Sequence, residues 1–249
     1  MKKTAVVILA AGKGTRMKSP LPKVLYKLGG IPLIAHVVAR ARALNPDKIA
    51  VIVGYRSELV REAIADSGID FVLQEEQLGT GHAVAQTENI LKGKFEQILI
   101  LSGDVPNIRV RTLKGLIEQH QKSRSAISFI STDLENPAGY GRVVRDSKGK
   151  VLAIVEEKDA PPEIKKIREV NSGIYSFQSD ILFEALKHID RKNEQGEYYL
   201  TDTVGWGIAR KLPVEAVKIG ESSEISGINT EEDLLKLEEA ISLANKNSL

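Results

Sequence analysis

The chain has 249 residues, long enough to bury a sizeable core as one large α/β unit or two small ones. Its 35 Lys and Arg against 33 Asp and Glu leave a net charge of +2, too weak a bias to point to nucleic acid or an anionic membrane. It contains no cysteine, which excludes disulfides, thiolate nucleophiles and Cys-ligated metals and fits a reducing cytoplasm.

Lys2 and Lys3 precede an apolar run, but a charged, glycine-rich turn follows it where a signal peptide would show a small-residue cleavage site. The run reads instead as a buried first strand over 4–9. Further strands are predicted over 49–53, 71–73 and 98–101, with amphipathic helices over 33–44, 58–65 and 82–91 between them. Alternating strands and helices imply βαβ units, right-handed crossovers and a mostly parallel sheet with helices on both faces, a Rossmann-like arrangement. Beyond residue 110 the pattern changes. Strand-like runs at 126–131, 142–145, 151–156 and 170–177 follow one another with little helix between them, which predicts antiparallel strands added to the first sheet. Helical patterns over 180–186 and 201–210, a strand over 214–219 and a terminal helix from about Glu231 complete the chain, with Thr230 as N-cap and Asp233 at capping-box spacing. No apolar run is long enough to span a bilayer.

In such sheets ligands sit at the carboxyl ends of the strands, so the segments that follow strands carry the chemistry. The first strand runs into Ala10-Ala11-Gly12-Lys13-Gly14-Thr15-Arg16-Met17. Glycines let the backbone approach a phosphate closely, and successive N–H groups can then point at its oxygens. Arg16 adds a planar charge suited to bidentate phosphate contacts, and Lys23, after Pro20 and Pro22, a point charge on a stiff segment. Met17 stands where a dinucleotide fingerprint needs its third glycine, and the pattern G-x-x-x-x-G-K-[ST] is absent, so two familiar nucleotide motifs are excluded. After the fourth strand comes Ser102-Gly103-Asp104-Val105-Pro106. A carboxylate at a strand end beside a phosphate loop is the usual holder of Mg²⁺, which makes Asp104 the first candidate metal ligand.

These segments, together with Gln74 through Ala83, Gly139-Tyr140-Gly141-Arg142, Val155 through Asp159, Asn171-Ser172-Gly173-Ile174 and Gly196 through Asp202, resemble the sugar-phosphate nucleotidyltransferases. Within that family they are most similar to the uridylyltransferase domain of the bacterial N-acetylglucosamine-1-phosphate uridyltransferases. The resemblance covers nearly the whole chain, with motifs in order. It implies a nucleotidyltransferase fold over 1–229, with a nucleotide-binding half of about 1–110, an antiparallel sugar-binding half of about 111–229, and a C-terminal helix over 230–249. It implies Mg²⁺ as cofactor, UTP and a sugar 1-phosphate as partners, no nucleic acid, no membrane insertion and a cytoplasmic location, and it leaves homo-oligomerisation open.

By position, Leu9, Ala10, Ala11 and Gly12 would line the nucleotide site, and Gln74, Gly79 and Thr80 would read uracil. Ser102, Gly103, Gly141, Glu156 and Asn171 would hold the sugar. Asp104 and Asn229 would ligate the metal, and Arg16 and Lys23 would stabilise phosphoryl charge. No general base is required, so the four histidines need no catalytic role, and His82 is expected to be a structural hydrogen-bonder. Ser102 stands where some relatives carry Tyr, which implies a looser sugar pocket. The 249 residues contain no hexapeptide repeats of a left-handed β-helix, so no acetyltransferase activity is expected of them. Two readings stay open beside this one: a glucose-1-phosphate uridylyl- or thymidylyltransferase, and a non-catalytic nucleotide-sugar-binding protein.

Overall fold

The computed structural model describes residues 3–14, 20–65, 68–228 and 230–246. Strand β1 (Thr4–Ala10) leads through a small hairpin of β2 (Lys27–Leu28) and β3 (Ile31–Pro32) into α1 (Leu33–Arg42). Then follow β4 (Lys48–Val53), α2 (Ser57–Ala63), β5 (Ile69–Leu73), α3 (Thr80–Ala85), α4 (Glu88–Leu91) and β6 (Gln97–Ser102). β1 pairs parallel with β4 and with β6, and β4 pairs parallel with β5. The chain therefore steps outward from β1 on one side and crosses back to the other. That reversal opens a crevice at the carboxyl ends of β1 and β6, the place where such sheets bind ligands.

The second half contributes α5 (Val110–Lys122), β7 (Ile127–Asp133), β8 (Arg142–Arg145), β9 (Val151–Val155), α6 (Pro162–Lys165), β10 (Glu169–Gln178), α7 (Ser179–Leu186), α8 (Asp202–Ala209), β11 (Val214–Lys218) and α9 (Glu231–Lys246). β10 lies antiparallel between β6 and β7, and the β8–β9 hairpin hangs from its start. A single sheet of order β11-β7-β10-β6-β1-β4-β5 thus runs through both halves. The antiparallel addition is as expected from the sequence; β11, of which the sequence predicts a strand without a direction, is parallel to β7.

Side-chain alternation explains why the central strands are apolar throughout. Val6, Ile8 and Ala10 of β1 join one core layer with α1, α2 and α5, while Ala5 and Val7 join the opposite layer with α3, α4, α7 and α8. Among the described residues no helix is long and apolar enough to cross a membrane.

Three local features differ from or sharpen the sequence reading. The helix expected over 82–91 is two helices, interrupted at Gln86 and Thr87; the Thr87 hydroxyl donates to the Val84 carbonyl at 2.7 Å, a local bond that competes with helix continuation. No element is predicted from the sequence where α5 stands. Its buried Leu113, Leu116 and His120 have the right period, but its first turn carries no local cap. Instead the buried Glu224 accepts from the Arg109 N–H at 3.2 Å and the Thr112 hydroxyl at 2.6 Å, from more than a hundred residues away. At α9 the expected reciprocal cap is present: Thr230 N–H donates to Asp233 Oδ2 at 2.9 Å, and Asp233 N–H to Thr230 Oγ1 at 3.1 Å.

Candidate active site

A cavity of about 430 Å³ opens at the crevice between β1 and β6. Its floor is the end of β1, Leu9 to Gly12, and one wall is the end of β6, with Ser102 and Asp104. Gly103 stitches the two exits together by donating its N–H to the Leu9 carbonyl at 2.9 Å. The start of the phosphate loop is set by Gly14, whose φ of +66° suits glycine and whose absent Cβ would fall 2.5 Å from Lys23 Cβ. Lys23 is thereby brought against the loop, and its ammonium pairs with the Asp104 carboxylate, both side chains largely withdrawn from solvent. Arg16 lies outside the described residues, as does Asn229. The neighbour of the latter, Ile228, donates its N–H to the Asp104 carbonyl at 3.0 Å, so the segment entering α9 is anchored beside the candidate metal ligand.

The opposite wall is the turn between β5 and α3, with Gln74, Gly79 and Thr80. Gly79 has φ +111°, and a Cβ there would lie 2.5 Å from the Tyr198 carbonyl. The close approach reflects a clamp: Tyr198 N–H donates to Leu78 O and Gly81 N–H to Tyr198 O, each at 2.8 Å. Leu200 N–H donates to Thr80 Oγ1 at 3.0 Å. Gln74 is almost fully buried and directs its amide nitrogen to Gly79 O at 3.1 Å and to His82 Nδ1 at 3.0 Å. His82 is thus a hydrogen-bonder, as expected.

Gly141, Glu156 and Asn171 do not line this cavity; they form an adjoining cluster. Asn171 N–H donates to Gly141 O at 2.9 Å, and its side-chain nitrogen donates to the Tyr175 hydroxyl at 2.6 Å. Glu156 Oε1 accepts from Thr201 Oγ1 at 2.9 Å. Burial raises the Glu156 carboxyl above its ordinary range; the Thr201 bond opposes this, and Asp202, Asp159 and Glu197 add to it. Burial, and then the Glu156 charge, push the Tyr175 phenol well above its ordinary value. Ser102 joins cavity and cluster by donating its hydroxyl to Gly173 O at 3.4 Å.

Gln77, Ala83 and Glu197 line the cavity, and Thr201 and Tyr175 bond the adjoining cluster, although no role is expected of them from the sequence. Glu197 and Thr201 lie in a motif already singled out, so proximity of motifs could have flagged them. Tyr175 sits inside an apolar strand and carries no such signal.

The residues present fit a hard divalent cation. Among the described residues no three His, Cys, Asp or Glu side chains form a metal cage. A lone carboxylate beside a cavity roomy enough for a phosphate-bearing ligand is a donor set that Mg²⁺ accepts, because that ion keeps several waters and takes the rest of its oxygens from substrate phosphates.

The family described as nucleotidyl transferase matches residues 5–221. The bifunctional protein GlmU of Geobacter metallireducens is 47% identical over 226 residues, covering 90% of this chain and 48% of that protein. That of Desulfotalea psychrophila is 41% identical over 237 residues, covering 95% and 70%. The chain spans about half the length of most such relatives. A crystal structure of UDP-glucose pyrophosphorylase complexed with UDP-glucose superposes with a TM-score of 0.78 over 98% of this chain at 20% identity, a likeness of fold.

Proposed function

The chain belongs to the nucleotidyl transferase family, and on that premise we propose that it transfers a uridylyl group from UTP to N-acetylglucosamine 1-phosphate, releasing pyrophosphate. The observation that carries the reading is the cavity at the β1–β6 switch point. It joins a backbone phosphate cradle on its floor, an amide-bearing turn suited to a base on one wall and the Lys23–Asp104 pair on the other. The relatives named as GlmU support the choice of substrates.

In this reading a phosphate oxygen of the sugar 1-phosphate attacks the α-phosphorus of UTP in line. One P–O bond forms to the acceptor and the α–β bridging P–O bond breaks. The acceptor phosphate is mostly ionised at neutral pH, so no side chain needs to take a proton. Leu9 to Gly12 hold the nucleotide by backbone groups, and Gln74, Gly79 and Thr80 read the base. Gly141, Glu156 and Asn171, with Thr201 and Tyr175 fixing the last two, hold the sugar. Lys23 neutralises charge on the phosphoryl oxygens, with Arg16 assigned to the leaving pyrophosphate. Asp104 and Asn229 would hold Mg²⁺, which when bound supplies charge stabilisation to the phosphoryl oxygens.

Pyrophosphate release from UTP, measured with and without Mg²⁺ across a panel of sugar 1-phosphates, tests the reading. N-acetylglucosamine 1-phosphate should be the best acceptor. Glucose 1-phosphate should be used measurably, because Ser102 is small and a lost apolar contact discriminates by only about 1–3 kcal/mol. Equal or better use of glucose 1-phosphate would overturn the named sugar, and no release with any acceptor would overturn the reaction class.

A further inference from the structure

His82 is absent from the mechanism above, yet its ring nitrogens both meet side-chain amides. The Gln74 amide nitrogen lies 3.0 Å from Nδ1, and the Gln86 amide nitrogen lies 3.1 Å from Nε2. Each amide nitrogen is also anchored to a backbone carbonyl, Gln74 to Gly79 O and Gln86 to His82 O, both at 3.1 Å. A neutral imidazole accepts at one nitrogen only, so both amides cannot donate to the ring at once. Gln74 is 3% exposed and enclosed by the clamped turn, whereas Gln86 is half-exposed and can turn. Nδ1 is therefore the lone-pair atom for Gln74, and Nε2 carries the proton toward a turned Gln86 oxygen.

Both hydrogens of the Gln74 amide are taken, one by Gly79 O and one by His82 Nδ1. The amide's polarity is then fixed, with nitrogen inward. Its oxygen has no hydrogen-bond partner among the described residues, and Gln74 lines the cavity. A fixed acceptor suits the N3–H of uracil and opposes the N3 lone pair of cytosine. The ring of His82 is itself held, with Tyr198 stacked at 6.3 Å and 28°.

We propose that His82 is a positioning residue for base selection: it locks the orientation of the Gln74 amide, so that the cavity presents an acceptor and prefers uracil over cytosine. The inference rests on the reading of Gln74 as a base contact.

Kinetics of the purified full chain with UTP and CTP, with N-acetylglucosamine 1-phosphate and Mg²⁺, test it. His82→Leu should raise KM for UTP and narrow the UTP-to-CTP ratio of kcat/KM by about tenfold, the scale of one lost hydrogen bond, with kcat for UTP little changed. His82→Asn, which can still offer an acceptor, should recover part of the preference. Gln86→Ala should narrow it by roughly two- to threefold, because the ring loses only its outer anchor. These two variants decide the matter if His82→Leu does not fold. An unchanged ratio in all folded variants, or an equal fall of kcat on both nucleotides, overturns the proposal. Gln74→Ala separates the two readings. If it leaves the ratio unchanged, the base contact itself is wrong; if it narrows the ratio while the His82 variants do not, only the positioning role falls.

Discussion

The two sides of the site are built by different means. On the β1–β6 side the binding surface is mostly backbone: strand ends, a glycine turn and a carbonyl-to-amide stitch between Leu9 and Gly103, over an apolar core. On the β7–β11 side polar side chains are buried and already bonded to one another. Asn171 holds Tyr175, Glu156 holds Thr201, and Glu169 binds Arg145 and Ser131. A backbone surface suits phosphates, which every nucleotide shares. A network of fixed side chains suits a sugar, whose identity is a pattern of hydroxyls. On the side proposed for the nucleotide, loss of a charge should cost turnover and leave the fold intact; on the side proposed for the sugar, loss of a bonded side chain should cost stability or acceptor affinity.

The sharpest way to break that contrast is at the charges. Asp104→Ala should lower kcat by roughly 10³-fold, the scale of several kcal/mol of lost charge stabilisation, while leaving the thermal unfolding profile near that of the parent. Chelation of divalent metal should lower the parent's rate by at least as much and leave little further to lose in the variant. A folded Asp104→Ala protein with near-parent turnover would remove the metal-ligand role. Next in size is Arg16→Ala, expected to lower kcat by about 10²-fold, as loss of a preorganised charge does. Arg16→Lys should rescue little, since the bidentate fork is gone. If both Arg16 variants alter only KM for UTP, Arg16 is a ground-state binder.

The same contrast sets what was legible in the sequence. The parallel core follows from period and composition: β1, β4 and β6 are apolar on both faces because helices cover both. The loop after β1 and Asp104 after β6 follow from the rule that chemistry sits at strand ends. The sugar side did not yield to such rules. Glu156 and Asn171 came only from resemblance, and Tyr175 not at all, because a tyrosine in a strand reads as core until a partner such as Asn171 is placed beside it. Helix α5 was lost for a related reason, since its cap, Glu224, is supplied by a distant segment. Long-range side-chain bonds leave no local trace.

A smaller effect sharpens the comparison from the sugar side. Burial alone would raise the Glu169 carboxyl, but Arg145 first and then Ser131 outweigh it and hold it below its ordinary range. Removing this acid leaves Arg145 and Ser131 without their shared acceptor. Glu169→Ala should therefore destabilise the fold by about 1–3 kcal/mol, read from denaturant midpoints, because it strands the buried Ser131 hydroxyl and the half-buried Arg145 guanidinium. KM for UTP should stay within twofold. A stability loss under about 0.5 kcal/mol would mark the pair as a solvated surface contact.

The smallest effect concerns Glu156, whose carboxyl is raised by burial rather than lowered by a partner. A raised carboxylate binds more protons in the folded than in the unfolded chain, so its contribution makes stability fall as pH rises. The penalty is absent below the ordinary glutamate value of about 4.3 and fully present above the raised native value. Glu156→Gln keeps an oxygen for the Thr201 hydroxyl and removes the buried charge. It should raise the melting temperature at pH 8 by about 2–4 °C, the shift that ~1 kcal/mol gives in a chain of this size. The gain should shrink as the pH approaches 4, where the parent's carboxyl is protonated in both states. Sugar 1-phosphate affinity should fall in the same variant, because an amide accepts hydroxyl hydrogens less strongly than a carboxylate does. Calorimetry at the two pH values, beside acceptor KM at pH 8, checks both halves. A pH-independent gain would mean that shape, and not charge, sets the penalty at this position.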